Sequence, residues 1–144
     1  MGVEIEIVRE ATEEVVAAFG RLLPQLSSSA EPLDRDSLHR LVTWDGNHVL
    51  VARWNGAIVG TLTLVLFPIP TGLRAWIEDV VVDDAARGGG VGAALTTEAV
   101  RLAREAGART VDLTSRPTRG AANRLYERLG FQHRDSRLYR LTDG

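Results

Sequence analysis

The sequence predicts an α+β domain: a mixed, mainly antiparallel sheet of six to seven strands flanked by about four helices. Three observations carry this. The chain has 144 residues, 44% hydrophobic and 25% charged, which is room for one packed core. Up to Asp83, three apolar segments suited to strands are separated by turn residues. After Asp83 the apolar period becomes helical, and helix and strand then alternate.

The elements follow in order. Val3 to Val8 alternates apolar and acidic residues, as a half-buried strand does. Thr12 ahead of Glu13-Glu14 and apolar Val15, Val16, Phe19, Leu22 and Leu23 reads as an N-capped helix that stops near Pro24. Ser27 to Pro32 is a loop, and Asp34 opens a second short helix through about Val42. His48 to Trp54 and Ala57 to Phe67 are strands joined by Asn55-Gly56, a strong hairpin signal. Pro68 to Gly72 is a turn, and Ala75 to Asp83 completes an antiparallel meander. Val91, Leu95, Ala99, Leu102, Ala103 and Ala106 then repeat at helical spacing, with Gly107 as C-cap. Thr110 to Thr114 is a short strand, parallel to its predecessor through a right-handed crossover. A last helix has Thr118 as N-cap, apolar Ala122, Leu125 and Leu129, and Gly130 at its end. Phe131 to Arg134 and Arg137 to Leu141 close the chain as two short strands. No linker or repeat interrupts the sequence, so residues 1–144 read as one domain.

Composition excludes several functions. There is no cysteine, hence no disulfide framework, thiolate metal site or cysteine nucleophile. A net charge of −2 and a pI near 5.9 make the whole chain a poor electrostatic match for nucleic acid or an anionic membrane. The longest apolar stretch, Ala57 to Ile69, is shorter than the roughly 20 residues of a membrane span. The start Met1-Gly2-Val3-Glu4 lacks a signal peptide's basic and apolar regions, so a cytoplasmic protein is expected. His39, His48 and His133 have no metal-ligand spacing, so no metal is expected. Trp44, Trp54 and Trp76 in so small a domain leave a homodimer open. All 17 basic residues are arginine. Residues 1–50 hold nine acids against four arginines and residues 101–144 five against ten, which suggests an anionic ligand toward the C-terminal half.

The chemistry concentrates at Arg87-Gly88-Gly89-Gly90-Val91-Gly92-Ala93, between a strand and a helix N-terminus. Glycines leave main-chain N–H groups uncovered, and the helix start adds positive potential, so the segment forms an anion cradle suited to a pyrophosphate. Arg87 supplies a planar donor for phosphate oxygens. The same glycines fit a dinucleotide fingerprint, with Asp112 about twenty residues on as a ribose acid. Against that reading, Asp83 to Arg87 separates the strand from the glycines, and too little chain follows for further strand–helix units. A nucleoside-triphosphate loop is excluded, because no Gly-Lys-Ser/Thr is present.

The segment Arg87-x-x-Gly90-x-Gly92, after Val80-Val81-Val82 and before an amphipathic helix, resembles the coenzyme A pyrophosphate loop of the GNAT superfamily of N-acetyltransferases. Ala122-Asn123-Arg124-Leu125-Tyr126-Glu127-Arg128-Leu129-Gly130-Phe131 resembles that family's last motif, a helix carrying a tyrosine and ending in Gly-Phe. The resemblance implies the GNAT acyl-CoA fold, with acetyl-CoA as co-substrate. Arg87 and the amides of Gly88, Gly89, Gly90, Val91, Gly92 and Ala93 would hold its pyrophosphate, and Val80, Val81 and Val82 would hold the pantetheine arm like an added strand, where two parallel strands splay apart. Tyr126 corresponds to the tyrosine that hydrogen-bonds the thioester sulfur and protonates the leaving thiolate. The asparagine that the family often has seven residues before that tyrosine is Arg119 here, and Asn123 is taken as its substitute.

With no cysteine and no Gly-x-Ser-x-Gly elbow, direct acetyl transfer in a ternary complex is the simplest route. Trp76 to Val82 carries two candidate bases. Glu78 shares strand parity with Val80 and Val82, and relatives with an Ile-Glu-Asp stretch also favour it; a bulge would shift the parity and promote Asp79. The acceptor is some primary amine: a small amine, an amino sugar, an amino-acid derivative or a protein amine. Glu31, Asp34 and Asp36 are acids that could favour a cation. The alternative function is a regulatory acyl-CoA-binding module without catalysis.

Overall fold

The structure, a computed structural model, describes residues 2–143. The chain divides into two compact units, Met1–Thr114 and Ser115–Gly144. In the first, β1 (Glu4–Ile7) precedes α1 (Glu13–Leu26) and α2 (Arg35–Thr43). The meander β2 (Asn47–Trp54), β3 (Ala57–Ile69) and β4 (Gly72–Val82) follows, then a 3₁₀ turn (Asp84–Ala86), α3 (Val91–Glu105) and β5 (Thr110–Asp112). The sheet runs β1-β2-β3-β4-β5, antiparallel except for the β4–β5 pair. The second unit holds α4 (Gly120–Arg128). Among the described residues no helix is long and apolar enough to cross a membrane.

Local chemistry accounts for the elements. Thr12 Oγ1 accepts from Val15 N at 3.2 Å and Asp34 Oδ1 from Ser37 N at 2.8 Å, each supplying an acceptor to an otherwise orphaned helix amide. Asn55 (φ 53°) and Gly56 (φ 80°) turn β2 into β3 with the twist a two-residue hairpin needs. Val15, Ala18, Phe19 and Leu22 form the buried stripe of α1. With Leu38 and Val42 of α2 they enclose Val49, Val51, Ile58 and Val81 on one sheet face. Leu50, Leu62, Leu64, Ala75 and Ile77 are buried on the other face, where α3 contributes Val91, Leu95, Ala99 and Ala103. Arg53 ties three elements together. It donates to Glu6 of β1 at 2.8 Å, to both carboxylate oxygens of Glu14 of α1 at 2.7 Å and to the Gly56 carbonyl at 3.2 Å.

Four expectations are corrected. Five strands form among the described residues, because 131–134 and 137–141 adopt no strand. A strand pair without an apolar face to bury is not stable alone, and Leu138, Tyr139 and Leu141 are 64, 85 and 98% exposed. Helix α1 passes Pro24 and ends at Leu26. The bond that Pro24 cannot make would have gone to the carbonyl of exposed Gly20, which water can reach, and Ser27 N still bonds Leu23 O at 3.0 Å. The N-cap of α4 is Arg119, which makes no side-chain capping bond, in place of Thr118; the chain first turns through Arg119 N to Arg116 O at 3.0 Å. The fourth correction, to the face of Glu78, belongs with the site.

Candidate functional site

The glycine loop sits between the 3₁₀ turn and α3, and its neighbours hold it from below. Asp83 N bonds Val59 O at 2.8 Å, and the Asp83 side chain accepts from Ala85 N at 3.2 Å. Helix α1 reaches the same point: Gln25 Oε1 accepts from Asp84 N at 2.8 Å, and Arg21 lies 3.8 Å from the Asp83 carboxylate. A Cβ built on Gly89 would stand 3.4 Å from the Trp54 ring, so the indole forms a floor beneath the loop. Gln25, Asp83 and Trp54 escaped sequence reasoning, because nothing in their spacing tells which loop they will meet.

Gly88 (φ 84°) and Gly90 (φ 80°) are left-handed, and a Cβ at either would meet nothing within 4 Å. Glycine is thus required there by the backbone and not by crowding, and the loop's surface is open to a ligand. The first α3 amides, of Val91, Gly92 and Ala93, precede the first intrahelical bond, Ala94 N to Gly90 O at 3.0 Å. Together with the Gly88 and Gly90 amides, which have no partner among the described residues, they are the donor array that a phosphate group needs. Arg87 is exposed and pairs with Asp84 at 2.9 Å. An ion pair this exposed holds weakly, which leaves the guanidinium free to turn to a ligand.

Strand β4 carries a bulge at the other candidate position. Thr63 pairs with Glu78 and Thr61 with Val81, so Asp79 and Val80 together oppose Leu62. Asp79 takes φ 50°, a left-handed conformation that costs a non-glycine residue energy and is held here by the surrounding ladder. The extra residue breaks the parity expected from the sequence. Glu78 shares the face of Thr63, Thr61 and Val81, toward α1 and α2, and not that of Val80 and Val82. Glu78 and Asp79 are both exposed, and neither has an ion-pair partner among the described residues. From Ile77 onward, across the bulge, β4 has a free edge among the described residues. Its ladder with β5 ends at Trp76–Asp112, while β4 runs on to Val82. Along that stretch one edge has no neighbouring strand among the described residues. The 3₁₀ turn then connects it to the glycine loop.

In the second unit, Asn123 Nδ2 donates to Arg116 O at 3.0 Å, and its Oδ1 has no hydrogen-bond partner among the described residues. The Tyr126 and Phe131 rings meet edge to face, with centroids 5.9 Å apart and planes at 65°. Burial pushes the Tyr126 phenol above its ordinary 10.0, against the pull of the Arg119 charge. It is therefore a proton donor at every neutral pH. Two surface depressions, of about 340 Å³ beside Trp44 and about 430 Å³ beside His39, contain none of these residues.

The site thus combines a bulged strand, a helix start with open amides and a crossover to a short parallel strand, and the class of protein follows from comparison with known families. The sequence matches the acetyltransferase (GNAT) family over residues 11–131, and the chain belongs to that family. No curated protein matches it in sequence. Among solved structures, a Trypanosoma brucei acetyltransferase is 30% identical, with a TM-score of 0.80, over 98% of this chain and 99% of that one. A Bacillus halodurans transcriptional regulator is 28% identical, also at 0.80, over 98% and 100%. An aminoglycoside acetyltransferase from an uncultured soil metagenomic sample, 20% identical over 98% and 97% with a TM-score of 0.80, shares the fold.

Proposed function

We propose that the chain is an acetyl-CoA-dependent N-acetyltransferase that moves an acetyl group directly to a primary amine, with both substrates bound at once and residues 1–144 working as one domain. The observation that carries this is the open donor array of Gly88, Gly90, Val91, Gly92 and Ala93 near the end of an unpaired β4 edge; Gly89, expected among the donors, instead gives its N–H to Ala86 O at 3.3 Å. Free main-chain amides and a helix start fit a pyrophosphate, and an unpaired strand edge fits an extended arm with amide groups of its own. Arg87 adds charge at the rim. Val80, Val81 and Val82 offer the pantetheine-binding edge, and Asn123 adds its free Oδ1.

Each chemical role follows from the side chain's state. Glu78 and Asp79, both exposed and without a cationic partner among the described residues, are each available to attract an ammonium and take its proton; the bulge removes the strand-parity argument for Glu78 and raises Asp79 to an equal candidate, Glu78 being the one on the face of α1 and α2. Tyr126 keeps its proton at neutral pH and can hand it to a departing thiolate, an interaction that strengthens as negative charge grows on sulfur. Acetyl-CoA should raise the melting temperature by mass action and NAD should not, and thiol release with a panel of amines should then reveal turnover. Stabilisation by NAD in place of acetyl-CoA would overturn the proposal. Stabilisation by acetyl-CoA with no amine acetylated would favour a regulatory acyl-CoA-binding module.

A further inference from the structure

The register places side chains of the α1–α2 sheet face in rows that cross the strands. One row is Val51, Thr61 and Val81, and the next is Val49, Thr63 and Glu78. Beyond them lie Asn47, Val65, Trp76 and Asp112, then Phe67, Arg74 and Thr110. Val49, Val51 and Val81 belong to the core enclosed by α1 and α2, whereas Val65, Phe67 and Trp76 do not and stay half-exposed. The helices thus cover the rows near the β2–β3 hairpin and leave an apolar, partly aromatic floor toward the β3–β4 turn. Asn47, whose Nδ2 donates to Leu41 O at 3.1 Å, fastens the end of α2 beside that floor.

The charges on the floor are uneven. Arg74 donates to Asp112 at 2.8 Å and to the Thr110 hydroxyl at 3.3 Å, so these two charges cancel. Glu78 stands one row from Trp76, about 7 Å along the strand, and Asp79 follows it; both lack a cationic partner. Asp34 is committed to capping α2. The open half of the face therefore has one negative end, at Glu78 and Asp79, and a body whose apolar side chains, Val65, Phe67 and Trp76, are flanked by Asn47 and by the mutually paired Arg74 and Asp112.

We infer that the acceptor is an amine with a single positive charge on a flat apolar body, its ammonium at Glu78 and its body on Val65, Phe67 and Trp76. This rests on the acetyltransferase reading and narrows its substrate class. An indole face accepts a flat ring and tolerates a nearby cation. A polycation or amino sugar would instead set charges and hydroxyls over Val65, Phe67 and Trp76, which offer them no partner. Val65, Phe67 and Trp76 are then specificity-determining residues, which bind the acceptor without touching the transferred proton.

The test uses the full chain with saturating acetyl-CoA and measures thiol release with 2-phenylethylamine, n-hexylamine, spermidine and kanamycin. The expected kcat/KM for 2-phenylethylamine exceeds those for spermidine and kanamycin by about tenfold or more, on the scale of hydrophobic-pocket discrimination. Val65→Asp should reverse or erase that preference through KM, with the acetyl-CoA melting shift retained. Trp76→Leu, which keeps apolar bulk in case the charged variant does not fold, should raise KM for 2-phenylethylamine more than for n-hexylamine. Preference for spermidine or kanamycin, or unchanged KM ratios in both folded variants, would overturn the inference while acetyl transfer stood. Absence of any acetyl-CoA melting shift would instead overturn the function on which it rests.

Discussion

Gly60 shows how one missing methyl group positions the candidate cofactor site. A Cβ at this buried residue of β3 would lie 3.0 Å from Val91 Cγ1, 3.2 Å from Leu95 Cδ1 and 3.2 Å from the Val81 carbonyl oxygen. Carbon contacts are comfortable at about 3.5–4.0 Å, so Gly60→Ala requires the first turn of α3 to retreat by about half an ångström. The backbone carbonyl on the third side cannot turn away. Overpacking of this kind costs about 1–3 kcal/mol, while reduced freedom of the unfolded chain returns about 0.4–1 kcal/mol. A net loss of about 1–2 kcal/mol is expected, a fall in Tm of about 3–10 °C for a domain of this size. Gly20→Ala is the control. It lies inside α1 with nothing within 4 Å of the added carbon and should stabilise by about 0.5–1 kcal/mol. Differential scanning calorimetry of both variants reads the two signs. If Gly60→Ala melts within 1 °C of the parent, with the 1 °C taken as about the resolution of the comparison, α3 does not rest on β3 through this glycine.

Four further outcomes are expected. Gly90→Val, which places a β-branched residue at a left-handed position on the open face of the loop, should abolish the acetyl-CoA melting shift. Glu78→Gln should lower turnover most at low pH, where the amine is protonated, with acetyl-CoA affinity nearly unchanged; parent-like activity across pH would move the base to Asp79 or water. Tyr126→Phe keeps the edge-to-face contact with Phe131 but removes the acid, so kcat should fall about 10²-fold with Tm nearly unchanged; because the folded phenol lies above 10.0, its ionisation should produce no alkaline loss of rate at neutral pH. Hydrogen bonding and charge from Arg53 hold the Glu14 carboxyl below its ordinary 4.5, so this pair stabilises above that pH and the contribution is lost as pH falls through the lowered value; Arg53→Met should flatten that part of an acid-unfolding curve.

The legible parts of this molecule are those that local chemistry determines. Caps at Thr12 and Asp34, the Asn55-Gly56 hairpin and the α1 stripe depend on neighbours a few residues away, and each was readable from its own segment. The glycine loop was readable for the same reason, since its donors are its own main chain. What could not be read depends on distant partners. The Asp79 bulge is a mismatch in count between β3 and β4, and neither strand alone reveals it; yet it alone decides that Glu78 faces the helices. The C-terminal strands failed in the opposite direction. Alternation in Arg137 to Leu141 suits a strand, but a ladder needs a partner edge and an apolar face, and these side chains are exposed. Trp54, Trp76 and Trp44 make the same point within one residue type. The first supports the glycine loop, the second lies on the open floor beside Glu78, and the third is 69% exposed at the end of α2. Sequence spacing could not have distinguished these three environments, because each is set by what the fold brings opposite the ring. The inferred acceptor preference belongs to that category: it rests on the row that register assembles from β3 and β4, not on any contiguous motif.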